Sequence, residues 1–265
     1  MPEELVCSDG VPLVESSPEL MTVDESMEAE ASPESGIHAK RIRWFELCLI
    51  LLISFGGYFF NSLYVLLAGQ GIKVGPHTQS AEWAVSLVHE AASLLLLAYV
   101  LWRRRRRLRD LGMRWSFRGL GIGLAVAIVS AVGSYGAYRL GHWLISLVYH
   151  GQLSILARGI TARQLYTHPS LIVFPFTIVN AFFEELIVRA FLMTEVRELT
   201  GSWILAVIAS VAVQTSYHIH YGLIGALSVS FGFLVFSIYY ARTRQATPLI
   251  FAHALIDFYA FLPLI

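Results

Sequence analysis

Three polar groups interrupt the apolar second half of the chain: Glu184 and Glu185 with Arg189, His218 with His220, and His253 with Asp257. The first group lies in PFTIVNAFFEELIVRAFLMTEVR, residues 175–197, otherwise apolar and about the length of a membrane span. A charge near the bilayer centre costs roughly 2.5–3.5 kcal/mol on insertion scales, so such groups face a protein interior or a wet cavity and find partners there. On an α-helix Glu185 and Arg189 share a face, while Glu184 is turned by about 100° from its neighbour. The arginine can therefore hold one glutamate while the other faces elsewhere. His253 and Asp257, also four apart, lie on one face, where the carboxylate can fix the tautomer and orientation of the imidazole. His218 and His220 are two apart and point to opposite sides, so only one of them is expected to face a site, and spacing does not say which.

A glutamate and two histidines converging inside a membrane suit the hydrolysis of a buried bond. Water must be admitted and deprotonated, and the tetrahedral oxyanion stabilised. Glutamate and histidine can share the base role directly. Alternatively, Glu184, His218 and His253 can hold one Zn2+ whose bound water has its pKa lowered to about 7. The soluble zinc-protease signature, two histidines and a glutamate on one helix, is absent, so spacing leaves the metal open. Two non-enzymatic readings use the same residues. In one they lock helices together in a membrane immunity or scaffold protein that binds another membrane protein. In the other they relay protons through a transporter, although the chain shows no evident internal repeat or paired broken helices.

The elements that must position these residues are membrane helices. Of 265 residues, 56% are hydrophobic and only 14% charged, against about 25% charged in soluble domains. The zero net charge hides an asymmetry: residues 1–36 carry ten acids and no Lys or Arg, leaving nine acids against nineteen basic residues in the remainder. Residues 1–36, rich in Glu, Ser and Pro, are expected to form a disordered acidic tail rather than a signal peptide. Two cysteines, Cys7 and Cys48, do not suggest a disulfide framework.

Apolar runs predict about seven transmembrane helices in a domain over residues 37–265: 44–67, 81–102, 119–149, 175–197, 203–217, 222–240 and 248–264. Arg103 to Arg107, with Arg109, Arg114 and Arg118, lie between hydrophobic spans and read as a cytoplasmic anchor rather than as a nucleic-acid surface. Binding of anionic lipid is the other use of such a block. With Lys40, Arg41, Arg43, Arg197, Arg242 and Arg244 they put fourteen of nineteen basic residues on one side, which predicts a cytoplasmic N-terminus. His89 and Glu90, in the second span, can pair locally or line the cavity, and the structural role is the favoured one. Counting along hairpins leaves roughly 10–15 Å between the depths of His218 and His253 in a core about 30 Å thick. A tilt, or a segment that does not cross fully, must close that gap.

Taken in order, EELIVR at Glu184 to Arg189, SYHIH around His218 and HALID at His253 to Asp257 resemble the three motifs of the CPBP family. That family comprises CAAX prenyl endoproteases and bacteriocin-processing or self-immunity proteins, all of them intramembrane proteases. LRDLGMRW, Leu108 to Trp115, also resembles a segment common in bacterial members, and the resemblance covers about residues 100–264. It implies that Glu184 acts with His218 on the attacking water, that Glu185 and Arg189 shape the site, and that His253 and position 257 stabilise the oxyanion. Two residues depart from the pattern: Gln214 stands where phenylalanine is usual, and Asp257 where asparagine is common. An ionised aspartate cannot donate to an oxyanion, which casts Asp257 as the orienter of His253 or as a group protonated by burial. The resemblance further implies a membrane-associated protein or peptide substrate, prenylated or not, and membrane lipids as surroundings, with a bacterial cell membrane as the expected home.

Overall fold

Apolar runs in a bilayer must satisfy their backbone hydrogen bonds within the segment, and every regular element among the described residues is helical. The computed structural model describes residues 33–68, 76–149 and 170–261. Residues 1–32 of the acidic tail, Cys7, the polar connection before Ser170 and the end of the last expected span lie outside the described residues. Up to Ala39 the chain forms a unit of its own, of which only the start of the first helix is described; the second unit runs from Lys40 to Ile265.

The helices are α1 (Pro33–Ala68), α2 (Pro76–Arg103), α3 (Phe117–Tyr149), α4 (Val173–Glu184), α5 (Met193–Thr200), α6 (Trp203–Ser216), α7 (Gly222–Thr243) and α8 (Thr247–Phe261). Between α4 and α5 the helix continues without a break, but Glu185–Leu192 is wound as a π-helix. Each expected span falls within or along one of these helical stretches, although α1 begins eleven residues before the expected start at 44 and α2 five before the expected start at 81. Four stretches among the described residues are long and apolar enough to cross a membrane: Ile37–Ala68, Thr78–Arg103, Phe117–Leu147 and Ile219–Thr243. Helices α6 and α8, of 14 and 15 residues, are shorter. At 1.5 Å per residue they reach about 21–23 Å, less than the hydrocarbon core of about 30 Å.

All eight residues of the π-helical segment are buried, where it packs against α2, α6, α7 and α8. Helix α3 lies along α7 and α8, and α4 lies between α2 and α8. The glycines of α3 permit that approach: a Cβ on Gly133 would come within 2.0 Å of the Phe231 ring.

One end of the bundle is tied by ion pairs. Arg43 Nε donates to Glu195 Oε2 at 3.0 Å, and Arg43 Nη2 and Arg106 Nη2 both donate to Glu198 Oε2 at 2.6 Å. Arg104 reaches Glu195 at 2.8 Å, and Arg103 and Arg104 both pair with Glu46. The arginine block is thus more than a surface anchor, since it clamps α1 and the end of α2 onto α5. The LRDLGMRW stretch closes the same end. Gly112 has φ of +85°, and a Cβ there would lie 1.9 Å from the Arg244 carbonyl oxygen. Only glycine fits both the conformation and the contact.

Candidate active site

Helix α4 fixes the glutamates. Glu184 is its last residue, and Glu185 opens the π-helical segment. The wider i→i+5 turn is rare and occurs frequently at functional sites. Here it serves two directions. Glu184 points towards α6, where its Oε2 accepts hydrogen bonds from Tyr217 Oη and from Gln214 Nε2, both at 2.7 Å. Glu185, fully buried, turns to α8 and accepts from His253 Nδ1 at 2.9 Å.

Arg189 is 3.7 Å from Glu185, an ion pair without a hydrogen bond. Its firmer contacts run to α6: Nη1 donates to Ser210 Oγ at 2.9 Å, and Nη2 donates to Gln214 Oε1. Phe233 and Phe236 flank the guanidinium, with centroids at 5.6 and 5.9 Å, as cation–π partners. Gln214 therefore bridges Arg189 and Glu184 with its two ends. In a buried network each missing partner would leave an unpaired charge or amide, so this chain of contacts fixes the Glu184 carboxylate in position.

The histidine pair lies where α6 ends. Beyond Ser216 the chain turns through Tyr217 and His218 into a 3-10 turn over Ile219–Tyr221. Phe55 of α1 stacks on Tyr217 with ring centroids 4.9 Å apart. In this turn the helical and extended spacing rules lapse, and His218 and His220 both line one cavity, contrary to the expectation that only one would face it. His218 Nδ1 lies 2.8 Å from the Gln214 carbonyl oxygen, which can only accept, so Nδ1 carries a proton and in the neutral ring Nε2 keeps a lone pair. Ser62 Oγ accepts from the His220 backbone N–H at 2.9 Å and shares a hydrogen bond with His220 Nδ1, also at 2.9 Å, in which either atom can be the donor.

His253 and Asp257 come from α8. The expected direct pairing is loose, with His253 Nε2 at 3.6 Å from Asp257 Oδ2, beyond hydrogen-bond length. Glu185 is the orienter of His253, and Asp257 is held instead by Asn180, whose Nδ2 donates to Oδ2 at 2.9 Å. Asn180 stands one turn before Glu184 on α4, which is the signal that could have marked it.

Glu184, His218, His253 and Asp257 all line a single cavity of about 160 Å³. Helix α6 stops after 14 residues, and His218 beyond its end lines the same cavity as His253 despite the separation in depth expected from hairpin counting. Sequence reasoning missed Tyr217 and Asn180 as members of this neighbourhood, marked Gln214 only as a departure from the family pattern, and gave Glu90 the cavity only as its second reading. Glu90, expected to be structural, is fully buried, lines the cavity and accepts from Tyr58 Oη at 2.9 Å. Its neighbour His89 does play the structural part, with Nε2 at 3.0 Å from the Ser54 carbonyl of α1.

The residues do not fit a resident zinc ion. Among the described residues no three His, Cys, Asp or Glu side chains come together as a metal-ligand set.

Comparison with known proteins adds one finding. Residues 166–259 match the family model described as type II CAAX prenyl endopeptidase Rce1-like. That segment contains all three polar groups and leaves LRDLGMRW outside it. No curated protein and no solved structure matches the chain.

Proposed function

We propose that this chain, whose residues 166–259 match the type II CAAX prenyl endopeptidase family model, is an intramembrane endopeptidase whose attacking water is activated directly by Glu184 with His218. Its substrate is a membrane-associated protein or peptide. One observation carries the reading: a carboxylate held by Tyr217 and Gln214 and a histidine with a lone pair at Nε2 line the same cavity, inside a segment that matches a protease family.

In this mechanism water sits between the Glu184 oxygen that neither donor occupies and His218 Nε2. These two groups share its proton as the oxygen attacks the scissile carbonyl carbon. The oxyanion forms opposite them and meets a proton on His253 Nε2, the ring nitrogen that Glu185 does not occupy. His253 acts as the imidazolium, its charge balanced by Glu185 at Nδ1 and by Asp257 near Nε2. The C–N bond then breaks, and the proton taken from water passes to the leaving amine. Arg189 acts through Gln214 and Glu185 and does not touch the reacting atoms.

The Arg189, Ser210, Gln214 and Glu184 contacts also favour a second reading, a polar lock in a non-catalytic immunity or scaffold protein. The lock leaves a lone pair on His218 facing a cavity without a task. A quenched fluorescent peptide panel, prenylated and unprenylated, separates the two when purified wild type and Glu184→Gln are compared with and without a zinc chelator. Cleavage that survives chelation and disappears in Glu184→Gln is the expected result. Chelator-sensitive cleavage would return the reaction to a metal, and cleavage undiminished in Glu184→Gln would remove Glu184 from the site.

A further inference from the structure

The residues that line the cavity all come from one half of the bundle. They are contributed by Tyr58 to Val65 of α1, Trp83 and Glu90 of α2, Phe176 to Glu184 of α4, the 217–221 turn, and His253 to Phe261 of α8. The ion pairs of Arg43, Arg103, Arg104 and Arg106 with Glu46, Glu195 and Glu198 tie the other end. Distance along the helices measures the separation. Asn61, an exposed residue of the cavity lining, is eighteen residues beyond Arg43 on α1, or about 27 Å at 1.5 Å per residue. Trp83 lies twenty residues from Arg103 on α2, or about 30 Å. Both rises approximate the full hydrocarbon thickness of about 30 Å. Glu184 lies eleven residues from Glu195, near mid-depth. The cavity therefore begins at catalytic depth in the middle of the bundle and extends away from the arginines, and among the described residues no Lys or Arg lines it.

Arginine-rich loops stay on the cytoplasmic side. We propose that the mouth of this cavity opens on the extracytoplasmic face of the membrane, so that the site takes peptide segments already translocated: an exported peptide, or the outer juxtamembrane stretch of a membrane protein. A protein prenylated in the cytoplasm is presented on the wrong face. The choice of peptide as occupant rests on the protease reading; the direction of the mouth does not.

Vectorial thiol labelling tests the proposal without requiring cleavage. In a Cys7→Ser, Cys48→Ser background, single cysteines are introduced as Asn61→Cys at the mouth and Ser116→Cys beside the arginine loop, both at exposed positions. A membrane-impermeant maleimide is applied to right-side-out and inside-out vesicles, with detergent-solubilised protein as the full-labelling reference. Asn61→Cys is expected to react in right-side-out vesicles and Ser116→Cys in inside-out vesicles. Asn61→Cys reacting only in inside-out vesicles would overturn the proposal. So would Asn61→Cys reacting in detergent but in neither vesicle, because the mouth would then face lipid. A peptide panel that is never cleaved would count against the protease and leave the labelling result intact.

Discussion

Gln214 Nε2 donates to Glu184 Oε2 at 2.7 Å, while the other end of the same amide takes a proton from Arg189 Nη2. Gln214→Ala would leave Tyr217 as the remaining donor to Oε2 and Ser210 as the remaining acceptor of Arg189. A buried polar group stripped of its partner costs about 1–3 kcal/mol. The variant should unfold at lower temperature in detergent and should lose kcat with little change in KM, because the bridge holds the base and does not contact substrate. A KM effect alone would mean that Gln214 faces substrate.

The two histidines of the 217–221 turn should behave differently. His218→Asn removes the nitrogen with the free lone pair and should lower turnover by about 10²–10⁴-fold, the range of a lost general base. His220→Asn removes a ring held by Ser62 and should cost far less in turnover. The comparison is made on whichever peptide the panel identifies. Equal losses, or a larger loss at position 220, would transfer the base role to His220.

Glu198 supplies a pH dependence outside the membrane-spanning helices. Burial pushes its carboxyl up, but hydrogen bonds and charges from Arg106 and Arg43 outweigh this and hold it below the usual carboxylate range. A carboxyl with a depressed pKa in the folded state adds stability above its unfolded pKa of about 4.3, and that contribution is lost as pH falls through the folded value. Thermal stability in detergent should therefore decline on acidification below about pH 5, and Glu198→Gln should be less stable at pH 7 with a flatter acid limb. An unchanged acid limb in Glu198→Gln would show that other carboxylates govern it.

Much of the architecture is legible in the sequence because a bilayer imposes a length on each apolar run. The run at 203–217 matches Trp203–Ser216, and the run at 222–240 matches all but the last turn of Gly222–Thr243. The three polar groups were legible for a related reason: charges and imidazoles are costly in such runs, so their presence demands partners. What the sequence concealed depends on register and on contacts between helices. Nothing in ELIVRAFL announces a π-helix, yet that segment decides that Glu185 and not Asp257 meets His253 Nδ1. Neither Gln214 nor Asn180 is unusual in an apolar helix, and each acquires its role from a residue on another one. The histidine pair was misread because alternation holds for strands and helices, whereas His218 and His220 lie in a turn.

The contact between Gly112 and the α7–α8 turn offers a test of how the arginine end is closed. Ala246 N–H donates to the Gly112 carbonyl at 3.1 Å, and Tyr240 Oη donates to the Leu111 carbonyl at 3.3 Å. A Cβ at position 112 would strike the Arg244 carbonyl at 1.9 Å, with φ of +85° adding strain. Gly201 has a similar φ of +76° but meets nothing nearer than 3.6 Å. Gly201→Ala should thus cost only its backbone conformation, about 1 kcal/mol. Gly112→Ala must also displace the turn, adding the roughly 1–3 kcal/mol that such local strain carries and weakening the hydrogen bond between Arg114 N–H and Thr247 Oγ1. Thermal unfolding of the two variants in the same detergent decides it. Equal shifts would mean that the LRDLGMRW stretch does not bear on the start of α8, the helix that carries His253.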